Sequence, residues 1–211
     1  MQGCFAAELA VALLRVFMEN EATHRRKRAS TALAATLTVA AAVVFGSCSQ
    51  RLPERTFKSE DEGFAVDFPG KPEIRAGQDQ HWAVKAFQVG ERVGEGGILY
   101  SVNFSRLAAG GKLVGQGIEA LAILTGQVRG FCSTLGTKPE NVTLSEAKFE
   151  NRYPALEYSC PGSLAGRSVI NEGWMILQPD RVVRISVSYG EELREAVFPR
   201  SRMFLFSLAL R

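Results

Sequence analysis

The sequence predicts an α+β fold: an antiparallel sheet of about six to seven strands with helices packed on its faces. Apolar residues alternate in several short segments that are separated by glycine and proline turns, as expected of half-buried strands. These segments come in two runs, and each run precedes a segment with helical spacing, which is typical of α+β folds. We expect residues 57–211 to form a single domain of this class, because their number suits one compact fold.

The first run contains three alternating segments. Residues 63–70 place three apolar side chains on one face and end at Pro69-Gly70. Residues 81–89 alternate in the same way, and residues 98–107 follow a turn rich in glycine (Gly94, Gly96 and Gly97). We expect these segments to form an antiparallel meander, because short connections join neighbouring antiparallel strands.

The apolar spacing then changes to three and four residues, which predicts an amphipathic helix. Its apolar stripe comprises Val114, Ile118, Leu121, Leu124, Val128, Phe131 and Cys132. Gly136 and Pro139 mark the end of this helix.

A second run of strands is predicted at residues 141–150, 154–160, 167–178 and 181–189. The dipeptides Pro161-Gly162 and Pro179-Asp180 are the predicted turns within this run. Residues 191–210 predict a closing helix with an acidic first turn, which the helix dipole favours. We expect Pro199 to kink or divide this helix, because proline lacks a backbone N–H.

A basic cluster and an apolar run precede the domain. Arg25, Arg26, Lys27 and Arg28 are followed by residues 29–45 without a charge, and then by Gly46, Ser47 and Cys48. This order resembles the export signal of bacterial lipoproteins, in which small residues precede an acylated cysteine. We therefore expect an export signal at residues 1–47, palmitate-type lipidation of Cys48 and a tether at residues 48–56.

An uncleaved membrane anchor is the alternative, because residues 29–47 are about long enough to span the hydrocarbon core at ~1.5 Å per residue. Their high alanine content favours a cleaved signal. In both cases the positive-inside rule places the domain on the periplasmic or outer side of a cell membrane or outer membrane. Translation from Met18 is a further possibility, since residues 1–17 fit neither interpretation.

Cys132 and Cys160 are the two cysteines that fall inside the predicted domain. In an exported protein such a pair suggests a disulfide bond. The bond would stabilise the fold by roughly 3 kcal/mol on the chain-entropy model. Two buried, reduced thiols are the alternative.

The charge distribution argues against a nucleic-acid partner. The formal net charge is +3, but five of the 25 basic residues and three of the 22 acidic residues precede Cys48. The remaining chain is therefore nearly neutral and lacks the concentrated basic composition that nucleic-acid binding requires.

The sequence contains no recognisable catalytic or metal-binding pattern. His81 is the one histidine in the predicted domain, and no serine stands in a G-x-S-x-G context. One histidine and two distant cysteines do not supply the ligands of a zinc site. Glu60, Asp61 and Glu62 lack the spacing of a calcium loop, so we expect a solvated loop there. Trp174 and Met175 are expected in the core. We predict no enzyme, no metal and no cofactor.

A family resemblance is carried by the segment Gly63-Phe64-Ala65-Val66-Asp67-Phe68-Pro69-Gly70-Lys71-Pro72. It is similar to the "GFxVxFPGxP" start of bacterial domains with the PsbP-like α/β/α sandwich. Residues 181–185 and 204–208 resemble the end of those domains. The resemblance covers about residues 57–210 and implies the sandwich fold. Its namesake supports the photosynthetic oxygen-evolving complex, but relatives serve varied binding roles, so no functional residue is carried over.

The sequence therefore predicts a membrane-anchored, extracytoplasmic lipoprotein. We expect the domain to act as a non-catalytic protein-binding or assembly module whose partner is an unidentified envelope protein. A small-ligand carrier or sensor, with an apolar pocket between helix and sheet, is the alternative. A hydrolase that acts on envelope polymers is a third hypothesis, for which the required residues are missing.

Overall fold

The computed structural model describes residues 56–78, 80–94, 96–110, 112–113, 118–164 and 166–211. These residues form ten strands, two α-helices and two short 3-10 helices at Pro139–Asn141 and Glu191–Leu193. In chain order, the elements are β1 (Thr56–Ser59), β2 (Phe64–Asp67), β3 (Glu73–Gln78), β4 (Trp82–Val93), β5 (Gly96–Leu107), α1 (Ile118–Thr134), β6 (Thr143–Phe149), β7 (Tyr153–Leu164), β8 (Arg167–Gln178), β9 (Arg181–Gly190), α2 (Arg194–Phe206) and β10 (Ala209–Leu210).

Seven strands form the main sheet in the order β3-β4-β5-β9-β8-β7-β6, and every neighbouring pair is antiparallel. The sheet joins two meanders, β3–β5 and β6–β9, through the pairing of β5 with β9. Helix α1 packs on one face and α2 on the other. The predicted α+β class, with helices on an antiparallel sheet, is confirmed.

The remaining strands form a small sheet in the order β1-β2-β10, and this corrects the expected meander. The predicted strand at residues 63–70 becomes β2, which pairs with β1 and β10 rather than with the strand at residues 82–93. Its expected place in the main sheet is taken by β3. That strand was missed because it is a largely exposed edge strand whose sequence, Glu-Ile-Arg-Ala-Gly-Gln, contains one large apolar residue, Ile74.

The small sheet and α2 cover an aromatic core on one face of the main sheet. The ring centres of Phe64 and Phe87 lie 4.9 Å apart, and those of Phe64 and Phe104 lie 5.0 Å apart. Such tilted and edge-to-face pairs add about 0.5–1.5 kcal/mol each to the free energy of burial. The apolar side chains that alternate in β2 and in β5 therefore point into this core.

Helix α1 covers the opposite face over β7 and β8. Its buried residues recur at every fourth position: Ala120, Leu124, Val128 and Cys132. Ile118, expected in the apolar stripe, is exposed, because it lies two residues before Ala120 and so points to the other side of the helix. Val114 lies outside the described residues. The predicted helix is thus present, but its buried stripe is shifted.

The predicted turn at Pro161-Gly162 is wrong, because both residues lie inside β7. Strand β6 pairs with β7 only as far as Ser159, so Pro161 has a strand neighbour on one side alone and its missing N–H is tolerated. Gly162 is packed under the end of α1. A Cβ added there would lie 2.6 Å from the carbonyl oxygen of Leu135.

The closing helix is shorter than predicted, and Pro199 does not divide it. Helix α2 runs without interruption from Arg194 to Phe206 and contains Pro199 in its second turn. The residues before it form a 3-10 turn, and Ala209–Leu210 leave the helix to pair with β2. Local spacing alone could not show this last strand, because two residues carry no periodic pattern.

Candidate functional site

The predicted lipidation residue and the basic cluster lie outside the described residues. This applies to Cys48 and to Arg25, Arg26, Lys27 and Arg28, so the export signal and the anchor stay predictions. Within the described part of the chain, no helix has both the length and the apolar character that a membrane span needs. The same residues contain no group of three or more metal-ligating side chains.

Cys132 and Cys160 are joined in a disulfide bond that ties α1 to the main sheet. Their Cα atoms lie 6.0 Å apart, within the range that disulfides require. The same end of α1 is held by two hydrogen bonds: Ser163 N donates to Leu135 O at 2.8 Å, and Thr137 Oγ1 donates to Pro161 O at 2.5 Å. The disulfide bond therefore reinforces a contact between the end of α1 and β7 that these hydrogen bonds also make.

The other residues singled out from the sequence lie far apart. His81 is exposed immediately before β4. Met175 is buried under α1, as expected of a core residue. Trp174 is half-buried on the opposite face, where its ring meets those of Phe149 and Phe206 at centre distances of 6.1 and 6.2 Å. The fold does not bring these side chains together.

Glu62 corrects the expectation of a solvated acidic loop. Its carboxylate is 6% exposed and receives a hydrogen bond from Arg106 Nη2 at 2.7 Å. Arg181, 7% exposed, donates from Nη1 to the backbone oxygen of Glu62 at 2.8 Å. Lys85 Nζ lies 3.5 Å from the same carboxylate. Long-range contacts of this kind leave no trace in local sequence.

Glu62, Arg106 and Arg181 line an open cleft of about 380 Å³ between the β1–β2 turn and the β8–β9 turn. Arg181 Nε also donates to Gln178 Oε1 at 2.5 Å, and Asp180 lies close to both arginines. Burial and the neighbouring Arg106 lower the pKa of the Arg181 guanidinium. Arg106 and Arg181 both have carboxylate partners in this cleft, so we assign their cluster with Glu62 a structural role.

Helix α2 presents an apolar stripe to solvent. Phe198, Met203 and Phe206 are 52%, 44% and 61% exposed. Arg202 lies among them, with its guanidinium carbon 4.7 Å from the ring centre of Phe206, and it also pairs with Glu157. Large apolar side chains grouped on a surface element often mark an interaction site.

The stripe lies close to the point where the predicted tether enters the domain. Thr56, the first residue of β1, is the register partner of Asp67. The N–H of Asp67 donates to Ser207 Oγ at 2.9 Å, and Ser207 follows Phe206. Asp67 therefore connects the end of α2 to the tether, because it contacts Ser207 and pairs with Thr56.

The face of the main sheet that carries α1 also holds a polar cluster. Tyr158 donates from its hydroxyl to Asn171 Oδ1 at 2.8 Å, and Asn171 Nδ2 donates to Ser188 Oγ at 2.6 Å. Ser186 lies on the far side of Gly173 from the same tyrosine. Burial raises the pKa of Tyr158 to about 12, so its phenol is neutral at pH 7.

Beside this network, Asn103 and Arg184 occupy opposed positions on β5 and β9. Asn103 is 4% exposed, and neither atom of its amide has a hydrogen-bond partner. Arg184 Nε is also buried and unpaired, while its guanidinium carbon lies 3.7 Å from the ring centre of Phe131. Sequence reasoning missed both residues, since polar positions in a strand are normally solvent-facing.

Comparison with known proteins gives similarity of fold alone. No family model and no curated protein matches this chain. PA94 of Pseudomonas aeruginosa, a protein of unknown function, is 12% identical with a TM-score of 0.44; the match covers 67% of this chain and 99% of that one. LpqN of Mycobacterium tuberculosis, involved in cell envelope biogenesis, is 10% identical with a TM-score of 0.37, over 68% and 86% of the two chains. We base no functional argument on these values.

Proposed function

We propose that this chain is a lipid-anchored, extracytoplasmic protein whose domain acts as a non-catalytic protein-binding or assembly module. Residues 1–47 are the export signal, Cys48 carries the lipid and residues 48–56 are the tether. The resemblance of the domain to PsbP-like sandwiches belongs to the same proposal. The disulfide between Cys132 and Cys160 supports an address outside the cytoplasm, because disulfides persist mainly in oxidising compartments.

The exposed stripe of α2 is the observation that supports a binding role. Phe198, Met203 and Phe206 place apolar surface where a partner protein can cover it. Interface cores are enriched in aromatic residues, methionine and arginine, and the stripe has this composition through its two phenylalanines, Met203 and Arg202. We therefore place the partner contact on α2, with a partner that presents an apolar patch.

The tether limits where this partner can be. Seven residues lie between Cys48 and Thr56, so their Cα atoms are eight steps apart and a fully extended chain spans at most about 29 Å between them. Because the end of α2 adjoins Thr56 through Asp67, the stripe stays within a short distance of the membrane surface. The proposed partner is thus a membrane-bound envelope protein.

The anchor is tested by substitution of the acylated residue. In intact cells fed a labelled fatty acid, the wild-type chain takes up the label and sediments with membranes, whereas Cys48→Ser does neither. The double substitution Cys132→Ser with Cys160→Ser is the matched control, because it removes the two disulfide-bonded cysteines but leaves the proposed lipid site intact. Equal label in the wild type and in Cys48→Ser would refute the anchor.

The binding surface is tested by site-specific photo-crosslinking in intact cells. A photo-reactive residue at Met203 should form one discrete adduct with an envelope protein, and Phe206→Ser in the same chain should weaken that adduct. The same probe at Lys138, an exposed position at the opposite end of the fold beside α1, should give none. Adducts of equal intensity at both positions would show random proximity and exclude the α2 surface.

The non-catalytic part of the proposal is tested at His81, the one histidine of the domain that could serve as a general base. The purified protein is incubated with an envelope extract. If any component of the extract is turned over, the His81→Gln variant should turn it over at the wild-type rate. A rate that falls more than about tenfold, with an unchanged unfolding midpoint, would make the protein an enzyme.

A small-ligand carrier or sensor is the second candidate function. The interface between α1 and the sheet is filled by buried side chains among the described residues, from Leu124 and Val128 on the helix to Leu156 and Met175 on the sheet. The observation that favours a ligand is instead the unpaired polar pair, Asn103 and Arg184. Native mass spectrometry of the purified chain separates the two candidates by the mass of what copurifies, a small molecule or a protein.

A further inference from the structure

Arg184 carries a positive charge on the α1 face of the main sheet, where no carboxylate of the described residues pairs with it. It lies in the middle of β9, a central strand, and its guanidinium stacks on the ring of Phe131 from α1. Burial lowers the pKa of this guanidinium. The Nε–H of Arg184 is buried and donates no hydrogen bond.

Asn103 supplies two further unpaired atoms at the same point of the sheet. It is the register partner of Arg184 across the β5–β9 pair. Directly opposed residues have their Cβ atoms about 5 Å apart, so the two side chains can contact one group placed between them. One amide donor, one amide acceptor and one guanidinium N–H are thus left unused side by side.

Nearby polar groups on this face are hydrogen-bonded, which makes the unpaired atoms of Asn103 and Arg184 informative. Tyr158 on β7, Asn171 on β8 and Ser188 on β9, the strand of Arg184, form a continuous chain of hydrogen bonds. Native proteins pair nearly all buried polar groups, so each group left unpaired calls for an explanation, such as a bound ion. An uncompensated buried cation is especially unfavourable, because its desolvation is not offset by a nearby negative charge.

We propose that Arg184 and Asn103 form a binding site for an oxyanion, the carboxylate or phosphate group of a small ligand. Phe131 covers one face of the guanidinium and leaves its in-plane N–H groups able to donate to two oxygens. Asn103 Nδ2 donates a third hydrogen bond, and Oδ1 accepts one from a ligand hydroxyl. Arg184 as a whole is partly exposed, so an anion can reach it. This inference is independent of the lipid anchor and of the α2 surface.

The test is the thermal unfolding of the purified full-length chain with sodium phosphate or sodium acetate, at constant ionic strength set with sodium chloride. An anion that binds with a Kd of about 5 mM should raise the unfolding midpoint by about 3–5 °C at a concentration of about 50 mM. A response to phosphate alone indicates a phosphate ester as ligand, and a response to acetate alone indicates a carboxylate. A response to both anions supports an oxyanion site that accepts carboxylates as well as phosphates.

Arg184→Met keeps most of the side-chain length and removes the charge, so the anion-dependent rise should disappear. Arg129→Gln, which removes an exposed arginine from α1, should respond as the wild type does. If Arg184→Met does not fold, the ¹⁵N–¹H signal of the Arg184 Nε in the wild type provides the same test and should shift on titration. A wild-type midpoint or Nε signal that neither anion changes, or an Arg184→Met protein that retains the full rise, overturns the proposal.

Discussion

The carboxylate of Glu62 receives a hydrogen bond of 2.7 Å from Arg106 across 44 residues of the chain. Glu62 belongs to the turn between β1 and β2 in the small sheet, whereas Arg106 lies near the end of β5 in the main sheet. Arg181 from the start of β9 reaches the same carboxylate at 3.4 Å. One buried acid therefore joins the two sheets at this end of the fold.

Glu62→Gln should destabilise the domain by about 3 kcal/mol, because it leaves the buried guanidinium of Arg181 without its closest countercharge. Asp180→Asn is the matched control: it touches the same two arginines, but its carboxylate is largely exposed, so a change below about 1 kcal/mol is expected. The free energy of unfolding in urea measures both. Equal effects of the two substitutions would show that the burial of Glu62 is unimportant.

The elements with strong local periodicity could be predicted from the sequence. Alternation located β2, β4 and β5, strands were also predicted where β6, β7, β8 and β9 lie, and spacing of three and four residues located α1. Elements without an apolar pattern could not be predicted in this way. The edge strand β3 is mostly polar, and β10 has only two residues.

The candidate sites were less predictable, because they depend on which strands become neighbours. Asn103 and Arg184 are 81 positions apart in sequence, and nothing local indicates that β5 pairs with β9. The burial of Glu62 has the same origin, since its partners come from β5 and β9. The pairing of Cys132 with Cys160 was inferable only because no other cysteine was available in the domain.

Loss of the disulfide should lower the free energy of unfolding by about 3 kcal/mol, as expected when a loop of this length is no longer closed. The double substitution Cys132→Ser with Cys160→Ser is compared with the wild type in urea, with and without a reducing agent. The reducing agent should weaken the wild type alone. If it weakens both proteins equally, its effect does not come from this bond.

Stability should fall in alkaline solution partly through Tyr158. Burial raises the pKa of this phenol to about 12, above its ordinary value near 10. Between these values the unfolded chain loses the proton first, so the folded state binds more protons and becomes less stable as the pH rises. The contribution is fully present below about pH 10 and is lost as the pH approaches 12.

Urea unfolding of the wild type and of Tyr158→Phe between about pH 9 and pH 11 tests this. The wild type should lose up to about 1.4 kcal/mol per pH unit more than the variant over the upper part of that range. Tyr158→Phe is also expected to be less stable at neutral pH, because Asn171 Oδ1 loses its donor. Identical pH slopes for the two proteins would exclude Tyr158 as the titrating group.

Gly173 should tolerate no side chain. It lies in β8 opposite Ser186, and a Cβ added there would overlap the carbonyl oxygen of Ile185 and lie 2.8 Å from the Cα of Ser186. Both atoms belong to the backbone of a central strand, so the overlap can be relieved only by moving β9 away from β8. We expect Gly173→Ala to destabilise the domain by about 3 kcal/mol or more, within the range of severe overpacking.

Gly126→Ala is the matched control, because the same methyl group is added in α1, where nothing lies within 4 Å of the new Cβ. Alanine is the better helix former, so this substitution should stabilise the domain by about 0.5–1 kcal/mol. The two variants should therefore move the urea midpoint in opposite directions. If Gly173→Ala unfolded at the wild-type midpoint, the close approach of β8 to β9 and the register that places Gly173 opposite Ser186 would be wrong.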